Sequence, residues 1–397
     1  MNKEMQNIIC AVTASAISIG LFCGAFYRST QRARNNEPIT AAVICDGDKS
    51  TPYTANFARA AEQLQHDGVQ MEFYYNTPAE NAGELITQLA DESVDLIFTN
   101  SYEYGETVRR MAEQYPEIQF CAATCDNADA SVPNYHTFMG EICQGRYVCG
   151  VAAGAKLSEM IENGVITEDQ AVIGCVAAFE NAEVISGYTA FLLGVRSQCP
   201  AAVMRVRYIH TWSNFAAEKK TAEELIAEGC VIITHDTDTI GTAIACENAE
   251  MPYPVYHVGY NQDMISTAPT TALTGTCINW EPYMRTAAEA VQAHKPIESL
   301  VNGRTFVNDA AGGFTEGWVR MFDLNTATAA PGTEELLEET ITKLHQGRIH
   351  IFQGDYTGVD PEDPSDVCDL NKEYIENASS SAPTFHYVLN DVITIEE

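Results

Sequence analysis

The chain has 397 residues, enough for two domains, and its 46% hydrophobic and 19% charged content is that of a globular protein. With 22 Lys plus Arg against 55 Asp plus Glu, the formal net charge is −33, which repels phosphate backbones and excludes nucleic acid as a partner class. The 13 cysteines are odd in number and scattered singly through apolar runs, so they read as buried small hydrophobes rather than a disulfide framework or a zinc site.

Residues 8–27 form a run of 20 uncharged residues, the length of a bilayer-spanning helix. No small-residue cleavage site stands out after it, and Phe22 before Cys23 makes a poor lipoprotein box, so an uncleaved anchor is expected over a removed signal segment. Arg28, Arg32 and Arg34 follow the run and only Lys3 precedes it, which by charge alone favours a cytoplasmic body. Residues 28–37 are a polar linker.

Residues 39–45 are an apolar strand. The loop 46–52 leads to a helix with Phe57, Ala60, Ala61 and Leu64 on one face, ended by Asp67-Gly68. Residues 69–75 are a second strand, followed by a helix through Leu85, Leu89 and Ala90. Residues 94–99 and 118–123 are strands three and four, flanking a helix with Val108, Met111, Ala112 and Tyr115 on one side and Pro116 at its end. Such a β-α-β-α-β-α-β series is a parallel doubly wound sheet, and its ligands bind where loops leave the carboxyl ends of the strands.

After an extended stretch at 134–140 comes a helix rich in small residues, Gly150, Ala153 and Gly154, that permit close packing. A second βα series begins at 171–177. Its further strands are expected at 202–209, 230–234, 255–259, 271–278, 317–324 and 348–353, with helices around 184–195, 215–227, 280–293 and 333–345. The two series predict two lobes: 38–138 with 260–310, and 139–259 with 311–357. Residues 1–37 are then anchor or signal segment and linker, and 358–397 an acidic C-terminal tail. The end of that tail, 383–395, has the β-branched and aromatic character of a docking strand.

No dinucleotide, Walker A, serine-hydrolase or zincin motif occurs. The cluster His235-Asp236-Thr237-Asp238 follows a predicted strand and reads as a polar loop lining a cleft. Tyr53, Tyr102, Phe179 and Trp212 each fall in a loop after a strand, where flat side chains on facing lobes can sandwich a planar ligand. Asp126 stands ready to pair with a donor edge, and Asn261 and Asp263 with hydroxyls.

Seven segments in order carry a family likeness: DKSTPYTANF, AEQYPEIQFCAATCD, FMGEICQGRYVCGVAAG, VIGCVAAFENAEVISGYTAFLLGV, YIHTWSN with GCVIITHDTD, YHVGYNQD and LTGTCINW. Together they resemble the basic membrane protein family of ABC-transporter substrate-binding lipoproteins, which includes purine nucleoside receptors, over about residues 38–357. The resemblance implies an α/β, type I periplasmic-binding-protein fold: two doubly wound parallel-sheet lobes with a hinge, here preceded by one N-terminal hydrophobic helix. It implies no cofactor and no catalysis. Its partners would be a nucleoside, base or similar small molecule, an ABC permease, and the membrane through the N-terminal helix, with the body extracytoplasmic.

By the same resemblance Tyr53 and Trp212 are the stacking pair and Asp126 the base reader. Thr54 stands where the family has Asn, Asn261 and Asp263 match the two aspartates of its V-D-x-D, and Ile278 replaces a sugar-holding lysine. The stacking pair is kept while sugar-binding charges are lost, so a free base, a modified nucleoside or another flat polar molecule is expected. Two alternatives stand beside this. One is a ligand-sensing regulator with the same fold; the other is a nucleoside hydrolase using Asp46, Asp48, His235 and Asp236.

Overall fold

The computed structural model describes residues 38–396. The expected N-terminal hydrophobic helix and linker, and the question of their cleavage, lie outside those residues. The first part alternates as far as β4 and then adds a strand directly: β1 (Thr40–Ile44), α1 (Pro52–His66), β2 (Gln70–Tyr74), α2 (Ala79–Asp91), β3 (Leu96–Thr99), α3 (Gly105–Gln114), β4 (Gln119–Ala123) and β5 (Tyr135–Gly140). Then come α4 (Ile142–Glu162), β6 (Val172–Ala177), α5 (Ala182–Gln198), β7 (Val203–Tyr208), α6 (Phe215–Ala227), β8 (Ile232–Asp236), α7 (Gly241–Glu247), β9 (Tyr256–Tyr260) and β10 (Ala272–Ile278). The last part holds α8 (Glu281–Gln292), β11 (Arg304–Thr305), β12 (Asp309–Gly312), β13 (Val319–Met321), α9 (Thr333–His345), β14 (Thr357–Val359), β15 (Val367–Asp369), β16 (Val388–Leu389) and β17 (Ile393–Glu396).

Two seven-stranded sheets result. The first runs β11-β12-β5-β4-β3-β1-β2 and the second β13-β10-β9-β8-β6-β7-β17. Both are parallel except for β11 against β12 and β13 against β10. The strands read as continuous apolar runs because helices cover both faces of such sheets; β3 and β10 are buried at every position. Each sheet reverses its order once, between β1 and β3 and between β6 and β8, and a ligand crevice forms at such a switch point.

The chain changes sheet by three segments that lie side by side. The Glu141 amide donates to the Gly312 carbonyl at 2.8 Å, and the Asn279 amide to the Trp318 carbonyl at 2.7 Å. The Asn56 side chain, from the first helix, donates to the Ile278 carbonyl at 2.6 Å. These bonds hold the three crossovers together as one layer, with Ile278 buried inside it.

Helices α4 and α5 touch backbone to backbone. A Cβ on Gly150 would lie 2.0 Å from the Phe191 carbonyl oxygen, and one on Gly194 2.0 Å from that of Tyr147. Only glycine fits at these two crossings, which is the physical content of the small-residue stretch in α4.

Several expectations need correction. The sequence division placed 260–310 in the first lobe, but β10 hydrogen-bonds to β9 in the second sheet. The division at 310/311 also cuts β12, which pairs along its whole length with β5 of the first sheet. Residues 348–353 form no strand; only an isolated bridge joins Phe352 to Tyr374. The acidic tail is folded: β14, β15 and β16 make a small antiparallel sheet, and β17 adds to the second sheet beside β7. Its apolar residues explain this, since Phe352, Leu370, Phe385, Leu389 and Ile393 enter the core of the second lobe. The same tail reaches the first sheet. Asp309, buried on β12, accepts from the Ser381 amide at 2.7 Å, the Ser380 hydroxyl at 3.0 Å and the Thr137 hydroxyl at 2.9 Å.

Candidate functional site

The loops at the carboxyl ends of the two sheets supply the site. From the first sheet, Tyr53 opens α1 just after Pro52, whose fixed φ suits a helix start. Its hydroxyl donates to the Asn100 carbonyl at 2.5 Å, and its ring meets Trp280 edge-on at 6.0 Å. Asn100, buried after β3, ties this loop to the next: its side-chain oxygen accepts from the Asp46 amide at 3.1 Å, and its NH2 donates to the Thr54 hydroxyl at 3.4 Å. Thr54 itself is buried and serves this network. At the rim, the exposed Tyr102 hydroxyl donates to Asp126 at 3.3 Å, so the two residues form one hydrogen-bonded edge.

From the second sheet, Phe179 follows β6 and Trp212 follows β7. Their rings meet edge to face at 5.5 Å, and Trp212 remains 37% exposed. The Trp212 carbonyl accepts from the Asp238 amide at 2.8 Å, which locks the aromatic loop onto the loop after β8. Asn261, after β9, holds a left-handed backbone (φ 60°), a conformation Asn tolerates, and its amide bonds the Asp238 carboxylate.

The two sheets approach each other here. The tyrosine hydroxyl of Tyr53 is held well above its ordinary range, first by burial and then by the negative charges of Glu183, Asp46 and Asp238. Glu183 lies in the first turn of α5 and Asp238 beyond β8, so acids of the second sheet bear on a tyrosine of the first. Burial pushes Glu183 up to about 7, with Asp236 adding to it. Burial pushes Asp238 up to about 8, helped by Glu218 and Glu183. Glu218 is raised to about 7 by burial; the Thr239 hydroxyl donates to one of its oxygens at 2.6 Å, and the other has no partner among the described residues. Such carboxyls accept N–H or O–H donors readily, and a donor-rich ligand would relieve their crowding.

Two expected site residues are engaged inside the second lobe instead. His235 is fully buried; its Nε2 accepts from the Tyr260 amide at 3.2 Å, which leaves Nδ1–H to donate to the Thr237 hydroxyl at 3.2 Å. Burial, with Arg146 nearby, drops its pKa to about 3, so it is neutral and without a free nitrogen. Asp236 accepts from Arg146 at 3.0 Å, and a Cβ on Gly187 would touch its other oxygen at 2.8 Å. Both side chains are thus committed to partners within the lobe. Asp263 is exposed and turned to its own loop, accepting from the Ile265 amide at 3.0 Å.

Arg146 escaped the sequence reading. It is wholly buried on α4 and donates to Thr234 and Asp236. Its guanidinium lies over the rings of Phe191 and Tyr260 at 5.2 and 5.5 Å. A lone arginine in the run of small and apolar residues of α4 was the available signal. Glu183, Tyr260 and Trp280 were also missed, because their approach to the site depends on how the lobes meet. Among the described residues the cysteines are free and all but Cys368 are buried; burial lifts the Cys45 thiol to about 12. No described helix is long and apolar enough to cross a membrane. A cavity of about 520 Å³ lined by Ile39, Leu64, Val69, Arg285 and His294 lies at the amino-terminal end of β1, opposite the strand ends that carry the site.

Residues 41–316 match the sequence model of a family described as ABC transporter substrate-binding protein, PnrA-like. A purine-binding protein of Brucella abortus is 28% identical over 290 residues, covering 72% of this chain and 74% of its own length. A Haloferax volcanii protein with the provisional name of ABC transporter glucose-binding protein is 28% identical over 308 residues, covering 78% of this chain and 72% of its own. The solved structure of an ABC transporter solute-binding protein from Conexibacter woesei superposes with a TM-score of 0.61 at 17% identity, covering 78% of this chain and 97% of that one, which is a likeness of fold.

Proposed function

Since the chain belongs to the family of PnrA-like ABC transporter substrate-binding proteins, we propose that it captures a nucleoside-like or other flat polar molecule between its two sheets. The observation that carries this is the exposed Trp212, backed edge-on by Phe179 in the loops after strands of the second sheet, with Tyr53 likewise in the segment after β1 of the first. Flat rings at the ends of opposed sheets offer stacking surfaces, and stacking is tolerant of which base or ring is bound. The carboxyls of Glu183 and Asp238, largely protonated or poised at neutral pH, and the Tyr102–Asp126 edge supply the polar contacts.

Ligand contact with both lobes would favour the conformation in which they are close, because a ligand shifts an equilibrium by its differential affinity for the two states. The bound body would then present its ligand to an ABC permease, held at the outer face of the cell membrane by the segment at residues 8–27. The purine-binding relative supports a base-like ligand, and the relative named for glucose supports including sugars among the candidates. The family is one of substrate-binding proteins, and the engagement of His235 and Asp236 inside the second lobe weighs against the hydrolase alternative.

A thermal-shift panel of purine and pyrimidine nucleosides, free bases and monosaccharides tests the reading. A nucleoside or base should raise the melting temperature in a saturable way. A rise with monosaccharides alone would replace the base-like ligand by a sugar, and no rise with any member would remove the ligand class.

A further inference from the structure

The C-terminal extension carries a second cluster of ligating side chains, far in sequence from the cleft. The turn between β14 and β15 is closed by the Asp360 amide donating to the Asp366 carbonyl at 3.1 Å and the Asp366 amide to the Asp363 carbonyl at 2.9 Å. Asp360 uses one carboxylate oxygen to accept from the Glu362 amide at 2.8 Å, which leaves Oδ2 free to face His386. His386 sits two residues before β16, the strand that pairs with β14.

The imidazole is oriented. Its Nδ1–H donates to the Thr384 carbonyl at 2.7 Å, which puts the lone pair of the neutral ring on Nε2. That nitrogen lies 3.8 Å from Asp360 Oδ2 and 3.6 Å from Asp366 Oδ2, and the ligand atoms of the three residues all lie within 4.8 Å of one another. Separations of 3.6 and 3.8 Å are too long for hydrogen bonds. They suit two atoms that share a metal at about 2.0–2.2 Å each, with a near-tetrahedral or slightly wider angle between them. The Tyr387 hydroxyl donates towards Asp366 at 3.3 Å and its ring stacks on His386 at 4.2 Å, so both ligands are braced from behind.

We propose that Asp360, Asp366 and His386 form a zinc site with a fourth position open to water. One imidazole and two carboxylates match zinc; calcium takes six to eight oxygens and magnesium an octahedral oxygen shell, and three protein ligands with a nitrogen among them serve neither. The formal charge of −33 draws divalent cations towards the surface. All three residues lie beyond the family-matched segment 41–316. The metal would clip the 360–366 turn to β16. From there the chain passes through the core residue Leu389 to β17, so the clip fastens the extension to the second lobe.

The test is a calorimetric titration of the EDTA-stripped full chain with zinc chloride, repeated with calcium chloride and followed by thermal unfolding. Zinc should bind one-to-one and raise the melting temperature, with calcium at least about tenfold weaker. His386→Ala and the volume-conserving Asp366→Asn should each weaken zinc by at least about tenfold and shrink the zinc-induced rise in melting temperature, measured against each variant's own metal-free value. A chain that takes up no zinc, zinc affinity unchanged from the parent in both variants, which would place the ion on the cysteines or other histidines, or a preference for calcium would each overturn the site.

Discussion

Arg146 and Asp236 form a buried ion pair beneath the cleft, with 3.0 Å between Nη2 and Oδ2 and essentially no exposure of the arginine. The pair joins α4, which follows the first crossover, to the end of β8, which carries the loop of Asp238. Burial still pushes Asp236 up to about 6, against the pull of Arg146. Removing one partner leaves an uncompensated buried charge, which costs about 3–5 kcal/mol. Arg146→Ala should therefore lose that much in denaturant unfolding, while Arg146→Met combined with Asp236→Leu should recover most of it. A single variant as stable as the parent would contradict the pairing.

The acids of the cleft predict a pH dependence. Glu183 at about 7 and Asp238 at about 8 hold their protons over a range in which the unfolded chain has lost them. Their stabilising contribution is full below about pH 4 and is lost as pH rises through 7 for Glu183 and 8 for Asp238. The melting temperature of the ligand-free protein should fall between pH 5 and pH 8. Glu183→Gln should raise it at pH 8 and flatten that slope; an unchanged slope would show that Glu183 is not buried among like charges.

Gly150→Ala places a Cβ where the Phe191 carbonyl oxygen stands, and the opposing surface is backbone that cannot rotate away. Overpacking of this kind costs about 1–3 kcal/mol, occasionally more. Unfolding midpoints should drop accordingly.

Much of the architecture is legible because each strand is a short apolar run between helices with one apolar face, as at β3, α3 and β4. Local pattern carries that information. The layer of crossovers is different: Ile278, Gly140 and Trp318 come together from three distant segments, and no local period announces it. The tail misleads through composition. Acidic turns at 360–366 dominate its reading, while Phe385, Leu389 and Ile393, which anchor it in the core, are few and widely spaced. In the site, Trp212, Phe179 and Tyr53 are readable as aromatics after strands. His235 looks like chemistry in sequence, and only its buried contacts with Thr237 and Tyr260 show a structural histidine.

Asp309 is the point where the extension grips the first sheet. Asp309→Ala removes the acceptor of Ser380, Ser381 and Thr137 and leaves buried donors unpaired, at about 1–3 kcal/mol. Hydrogen exchange at residues 376–382 should quicken in this variant more than exchange in β6 or β8. Uniform change across the molecule would argue against a local strap.

The most direct measurement is calorimetric titration of the tightest nucleoside or base into the parent, Tyr53→Ala and Trp212→Ala. One residue stands on each sheet, so a ligand held between the sheets must feel both. The account predicts measurable heat with the parent and at least about tenfold weaker binding in each variant, in line with about 1–3 kcal/mol for a stacked base. No heat with the parent, or an affinity untouched by either substitution, would contradict it.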